Sequence, residues 1–373
     1  MTGDEAIAAL ETTFARKRPP AETGRMVGVF GNGLPAALPT ALGFVPIDVK
    51  MAPEDELTDH AIAIIPYLEP FIDDYARIFL HRLFSGRFDD LHAIVFCRDD
   101  AAALVAYQYA LELKRQGIGR TPCPRLLLWN LVHRESQPAS AFNLAQAKKL
   151  GEELSADASY AELPSAAADE TARRTALSAL DDLRKADRKS ISATQAFVWR
   201  NAGRYLPASD HGRLLELACK AAARWPKSKS AQRIGLIGSP VDSTAFHAML
   251  DEVGNVVTDL QPFGEAWPGP TGGETVVAML QAEAGDRLCP RFEPATAYRD
   301  AIIDRCVADR CDLVVAQLDQ NDDSVGWDLP SLERSLRDHG IPLVNLGFRD
   351  HRPDAAWLRS ASETIAAAAG VPA

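Results

Sequence analysis

Short apolar runs punctuate the chain in two matching sets. The first set is Met26–Phe30, Val45–Val49, Ala93–Phe96 and Arg125–Trp129, and the second is Ile234–Ile237, Val256–Leu260, Leu313–Leu318 and Leu343–Leu346. The runs are nearly continuous in apolar residues and do not alternate with polar ones, which suits strands covered on both faces, as in a parallel sheet. Helical spacing lies between them, over Ile72–Phe84 and Asp100–Gln116 in the first half and over Ser243–Val253, Gly273–Glu283, Ala297–Asp309 and Pro330–His339 in the second. Gly117 and Gly340 stand where helix-terminating glycines belong. The opening of each set repeats one order: strand, glycine turn, helix, second glycine, second strand. It reads VGVFGNGLPAALPTALGFVPIDV over residues 27–49 and IGLIGSPVDSTAFHAMLDEVGNVVTDL over 234–260. Between the sets, residues 140 to about 226 are rich in Ala, Leu, Lys, Arg and Glu with few strand signals. The pattern predicts an α/β protein of two similar doubly wound parallel-sheet domains with a helical connector. Its parts are an N-terminal helix (1–24), a first α/β domain (25–139), the connector (140–230) and a second α/β domain (231–373).

Charge and length narrow the classes. The chain has 373 residues and a net charge of −11, which argues against a general nucleic-acid or anionic-membrane surface. No apolar run approaches the roughly 20 residues that span a bilayer. The N-terminus carries acids and lacks the long apolar block of a secretory signal, so a cytoplasmic location is expected. The six cysteines (Cys97, Cys123, Cys219, Cys289, Cys306 and Cys311) form no CxxC pair and no zinc spacing. Disulfides are not expected, and most of these thiols should be small buried apolar groups.

Candidate chemistry gathers at the strand ends, where α/β proteins place ligand groups. Gly31-Asn32-Gly33-Leu34-Pro35-Ala36 fits a loose G-x-G-x-x-A dinucleotide fingerprint, with Asp48 near the place of a ribose-binding acid. A tight βα turn that needs glycine explains it better, because Gly238-Ser239-Pro240 makes a similar turn in the second half, and Pro35 suits a first helical turn. Cys97 ends its strand and precedes Arg98-Asp99-Asp100. Two readings stand for it: a thiolate favoured by a nearby helix N-terminus and so a metal ligand or nucleophile, or a buried structural thiol. The comparable end in the second half is the acidic, polar run Asp319-Gln320-Asn321-Asp322-Asp323. His133-Arg134 and His351-Arg352 follow the two fourth strands and would suit an anionic group, although surface loops collect such residues too. No Walker A loop, G-x-S-x-G elbow or H-E-x-x-H helix occurs.

In their order and spacing these segments resemble the 2-hydroxyacyl-CoA dehydratase family, which also includes benzoyl-CoA reductase subunits. The resemblance rests on Val29 to Leu38 with Ala41 to Pro46, on Ile94-Val95-Phe96-Cys97-Arg98-Asp99, on Ile234 to Pro240 with its G-S-P loop, and on Pro330-Ser331-Leu332 through Gly340-Ile341-Pro342-Leu343-Val344-Asn345. It runs over most of the chain and is diffuse. It implies a subunit that works as a heterodimer with a related subunit, served by an ATP-dependent activator that delivers one low-potential electron to an acyl-CoA. It also implies a 4Fe-4S cluster held by three cysteines. Cys97 matches one of them. The earlier ligand should fall within Phe71-Ile72-Asp73-Asp74 and the later one near Asp319-Gln320-Asn321, and neither stretch has a cysteine. Cys289, before Pro290, sits where the family often has Cys-Pro and is not counted as a ligand.

Iron prefers thiolate, so loss of two of three thiolates should weaken a cluster site severely. The expectation is therefore a cluster-poor subunit of an acyl-CoA lyase or reductase, with the cluster held by the partner. Cys97 and Asp319 are the candidate cluster or metal ligands. Asn32, Gly33, Gly238, Ser239, Gln320, Asn321, His133 and His351 are the candidates for the substrate pocket. A non-catalytic assembly or binding subunit and a dinucleotide-binding oxidoreductase are the alternatives.

Overall fold

The computed structural model describes residues 1–53, 65–118, 123–155, 159–229, 232–270, 272–321 and 325–370. Helix α1 (Gly3–Arg16) opens the chain with a reciprocal cap, in which Thr2 and Glu5 each bond the other's backbone N–H. The first half then runs β1 (Met26–Phe30), α2 (Ala37–Ala41), β2 (Val45–Asp48), α3 (Asp74–Phe84), β3 (Ala93–Cys97), α4 (Ala101–Arg115) and β4 (Arg125–Trp129). Helices α5 (Gln137–Leu154), α6 (Leu163–Lys185), α7 (Ala193–Ala202) and α8 (Ala208–Ala222) follow, with the two-residue antiparallel pair β5 (Arg188–Lys189) and β6 (Ser228–Lys229). The second half runs β7 (Arg233–Gly238), α9 (Thr244–Val253), β8 (Asn255–Asp259), α10 (Val276–Ala284), α11 (Ala295–Ala308), β9 (Leu313–Asp319), α12 (Leu329–Asp338), β10 (Leu343–Arg349) and α13 (Ala355–Ala369).

The two halves build the same sheet. The orders are β2-β1-β3-β4 and β10-β9-β7-β8, and every pairing in both is parallel. Counted within each half, each sheet reads second, first, third, fourth strand. The expected pair of doubly wound parallel sheets is therefore present.

Side chains of β3 are buried at all five positions and alternate between two layers, as the pleat requires. Ile94 and Phe96 enter the layer with α3 and α4, and Ala93, Val95 and Cys97 enter the other with α2 and α5. Phe96 meets Phe79 edge-on at 5.3 Å and Phe30 face-on at 6.0 Å, so one strand, one helix and a neighbouring strand share an aromatic core. Strand β9 alternates likewise between Val314, Ala316 and Leu318 toward α11 and α12 and Leu313 and Val315 toward α9 and α13.

The helices of the connector pack on both halves. Leu177, Leu180, Phe197 and Leu215 join the first half's core, and Ala193 joins the second half's. In return α10, from the second half, lays Met279 and Leu280 into the layer of Val95 and Leu127. Further bonds cross between the halves: Tyr75 Oη donates to Pro240 O at 3.2 Å and Asn32 Nδ2 to Pro262 O at 2.7 Å. The carboxyl ends of the two sheets thereby face each other across one cavity.

Candidate functional site

In a sheet of this order the first and third strands send their connections to opposite faces, which opens a crevice beyond their carboxyl ends. Both sheets contribute such a crevice to a shared cavity of about 560 Å³. Asn32, Asp99 and Asp100 line it from the first sheet, and Gly238, Asp319 and Asn321 from the second. The glycine turns make this approach possible. Gly238 has φ +122°, and a Cβ there would lie 1.9 Å from Gln317 O. Its counterpart Gly31 has φ +103°, and a Cβ would lie 2.9 Å from the Cβ of Cys97. Each turn takes a backbone conformation open to glycine and lets two neighbouring strands close together.

One cation dominates the wall of the first half. Lys50 follows β2, and its ammonium lies 2.5 Å from Asp100 Oδ2. It also sits 4.6 Å from the ring centre of Tyr75 and 5.7 Å from those of Phe30 and Phe263. Asp100 is the N-cap of α4, with Oδ1 accepting from Ala102 N at 3.0 Å. Asp73 caps α3 in the same way, accepting from Ala76 N at 3.1 Å. Burial pushes the Asp73 carboxyl up to about 6 against the pull of Lys50, and the charges of Asp100 and Asp319 push the same way as burial. Burial, with Asp100 adding to it, pushes Asp99 up to about 7. Burial, Asp286 and Asp99 raise Glu283, another lining residue, well above the ordinary carboxylate range. Near neutral pH these walls thus hold carboxyls that can give or take a proton.

Asp319 ends β9 and is 2 % exposed. Its backbone N–H donates to Ser239 Oγ at 2.9 Å, and its Oδ1 accepts from Asn321 N at 3.0 Å. Among the described residues Oδ2 accepts no hydrogen bond; Arg349 Nη1 lies at 3.5 Å and His351 Nδ1 at 3.9 Å. Arg349 is held by Gln317 Oε1 at 2.6 Å and Pro240 O at 2.6 Å.

Of the residues singled out in the sequence, Asn32, Gly238, Asp319 and Asn321 meet at the cavity. Ser239 and His351 stand behind Asp319, the latter edge-on to Tyr75 at 4.3 Å. Burial keeps the His351 imidazole below its ordinary pKa. Gly33 packs under Asp99, and its carbonyl accepts from Trp129 Nε1 at 2.7 Å. Gln320 is exposed, and its backbone N–H donates to Arg349 O at 3.0 Å. His133 is buried off the cavity, 3.3 Å from Glu283 O, and burial lowers its pKa, so the expected cationic partner for an anionic ligand is a neutral ring there.

Of the two readings of Cys97, its surroundings suit the buried thiol. It is fully buried behind the wall, and burial together with Asp99, Asp100 and Glu283 pushes its thiol well above the ordinary value. The thiolate expected from the nearby helix is therefore disfavoured: α4 starts four residues later, and its first turn is already capped by Asp100. Of the six cysteines, Cys289 is the one that lines the cavity among the described residues, and burial raises its thiol too. Among the described residues no group of three or more His, Cys, Asp or Glu side chains is placed to hold a metal ion. The dinucleotide reading loses its acid as well. Asp48 accepts from Lys50 N at 2.9 Å, Met51 N at 2.8 Å and Arg204 Nη1 at 3.2 Å, which commits it to the fold. Pro35 precedes the N-cap Ala36 and so lies outside the first turn.

Sequence reasoning missed Lys50, Glu283 and Arg291 as parts of this wall, and it named Asp99 and Asp100 only as neighbours of Cys97. A lysine directly after a buried strand was a signal for the first. Nothing in the sequence brings α10 and its Glu283 to this place.

No helix among the described residues is long and apolar enough to cross a membrane. No curated protein matches the chain closely enough to count as a relative. The family described as "2-hydroxyglutaryl-CoA dehydratase, D-component" matches residues 33–360, a span that takes in all of the second sheet, the first sheet apart from β1, the connector and every cavity-lining residue but Asn32. Proteins of this family work with a partner component. The chain belongs to the 2-hydroxyglutaryl-CoA dehydratase D-component family.

Proposed function

We propose that this chain is the cluster-poor, ligand-binding subunit of a dehydratase-like or reductase-like complex that acts on an acyl-CoA. The observation that carries the reading is the cavity itself. It lies at the carboxyl ends of both sheets, has a volume of about 560 Å³ and combines aromatic walls with convergent carboxyls. That volume accommodates an acyl group and part of the pantetheine arm. The phosphates of the nucleotide would stay outside, away from walls rich in carboxyls.

The residues present do not fit a 4Fe-4S cluster of the ordinary kind. The Cys97 thiol is buried and held neutral, Asp73 stands within the stretch of the expected earlier ligand, and Asp319 stands at the expected later one. A hard carboxylate is a poor substitute for thiolate on iron. In this reading the cluster belongs to a related partner subunit, an ATP-dependent activator supplies the electron, and the complex works in the cytoplasm. This chain's share is to hold the acyl group, exclude water and keep protonated carboxyls such as Asp99 and Glu283 within reach of a leaving hydroxyl. The absence of three convergent thiols also favours a second reading, a subunit that assembles or binds without taking part in the chemistry.

Calorimetric titration of the purified chain with butyryl-CoA and with free CoA tests the first reading. Binding of butyryl-CoA at least about tenfold tighter than CoA, lost when Ala102→Trp fills the cavity, is the expected result. Equal binding of the two, or none, would leave the assembly role. Co-purification with a cluster-bearing subunit encoded nearby, and activity of that pair sensitive to Asp99→Asn, would separate catalysis from assembly.

A further inference from the structure

The cavity walls carry a strong charge imbalance. Eight lining residues have carboxyl groups, against two cationic side chains, Lys50 and Arg291. Lys50 is already engaged by Asp100 at 2.5 Å, and its ammonium lies against the Tyr75 ring. A carboxylate entering this space would meet Asp73 and Asp319, against which Lys50 and Arg349 are already set, and like charges at close range in a dry site are costly.

Two further observations point to a positive group. The first is Asp319, whose side chain is 3 % exposed and faces the cavity; its Oδ2 has Arg349 Nη1 at 3.5 Å but accepts no hydrogen bond among the described residues. A buried carboxylate oxygen without a donor is expensive to keep unless something arrives to bond it. The second is the aromatic part of the wall. Phe71, Tyr75, Tyr109 and Tyr298 line the same space, and ring faces attract ammonium groups, as the seat of Lys50 on Tyr75 already illustrates.

Resting on the reading of this space as the acyl pocket, we infer that the group it selects carries an ammonium, primary or quaternary, which Asp319 and Asp73 receive between the aromatic walls. A dicarboxylic acyl group such as 2-hydroxyglutaryl, with its distal carboxylate, is then disfavoured here.

Isothermal titration of the full-length chain with three acyl-CoA probes of similar length tests this. The probes are 4-aminobutyryl-CoA, butyryl-CoA and succinyl-CoA, with tetramethylammonium as a fourth probe that lacks CoA. The expected result is a Kd for 4-aminobutyryl-CoA at least about tenfold below that for succinyl-CoA, with the preference largely lost in Asp319→Asn and reduced in Asp73→Asn. Two variants are used because Asp319 is also tied to the β9 turn, and the wild-type ranking stands even if one of them fails to fold. Succinyl-CoA binding as tightly as 4-aminobutyryl-CoA would overturn the inference and leave the acyl-CoA reading intact. Binding of tetramethylammonium, weakened by Asp73→Asn, with no acyl-CoA binding would support the ammonium site and overturn the acyl-CoA reading. Binding of none of the four would overturn both.

Discussion

At Gly238 the fold depends on a single missing carbon. Its φ of +122° and the 1.9 Å approach that a Cβ would make to Gln317 O leave no room for a side chain. Gly238→Ala should destabilise the chain by roughly 1–3 kcal/mol or more and should weaken ligand binding, because Ser239 and Asp319 are held by the same turn. Urea midpoints that match wild type would contradict this. Asp99 makes a pH prediction. Its folded-state value of about 7 lies above the ordinary 3.8, so the group favours the folded state fully below about pH 4, and that contribution is lost as pH rises toward 7. The charges that face it are Asp100 and Glu283, which oppose ionisation, and Lys50 and Arg291, which favour it. Asp99→Asn removes the titration, so the variant should gain on wild type between pH 5 and pH 7.5, by roughly 2–3 kcal/mol. The comparison is made by urea unfolding at the two pH values, and a constant difference would count against the assigned ionisation.

Between elements, a buried charge network ties the connector to the second sheet. Arg184 on α6 pairs with Glu265 and Asp181 and donates to Val256 O on β8. Lys185 reaches Glu265 and Asp309 at 2.9 Å each, and Arg305 on α11 pairs with the same two acids. Burial alone would raise the Glu265 carboxyl, yet Arg184, Lys185 and Arg305 hold it below its ordinary 4.5. Its contribution is therefore present above about pH 4.5 and lost as pH falls further, opposite in sign to that of Asp99. Glu265→Ala leaves buried Arg184 with only Asp181 and Val256 O and should cost about 3–5 kcal/mol, read as a lowered Tm. A change under about 1 kcal/mol would show that water reaches the network.

The strands themselves were legible because both faces are covered. The run at Arg125–Trp129 is a strand with those bounds, and β3 differs from its expected run only by including Cys97. Helix α10 was misplaced at its start because Gly273, at φ +80°, leaves the helix to begin only after the Thr275 cap. Strand β10 was read too short because Gly347 breaks the apolar run after Leu346, yet Phe348 and Arg349 pair with β9 beyond an irregularity.

On the scale of the whole molecule, the sequence made the repeat and the facing strand ends visible, because glycine turns and apolar runs are local signals. The shape of the cavity was not visible, since Lys50, Asp73, Asp99, Glu283 and Asp319 meet only through tertiary packing, with α10 crossing onto the other half's core. That packing leaves one thiol near the strand end, buried and neutral, where a cluster would need three. The central claim is that this chain binds ligand without holding a cluster of its own. Iron and acid-labile sulfide analysis of the chain, expressed alone and purified without oxygen, tests it most directly. The account predicts iron far below one atom per chain, unchanged by Cys97→Ser. About four irons and four sulfides per chain, lost on that substitution, would contradict it.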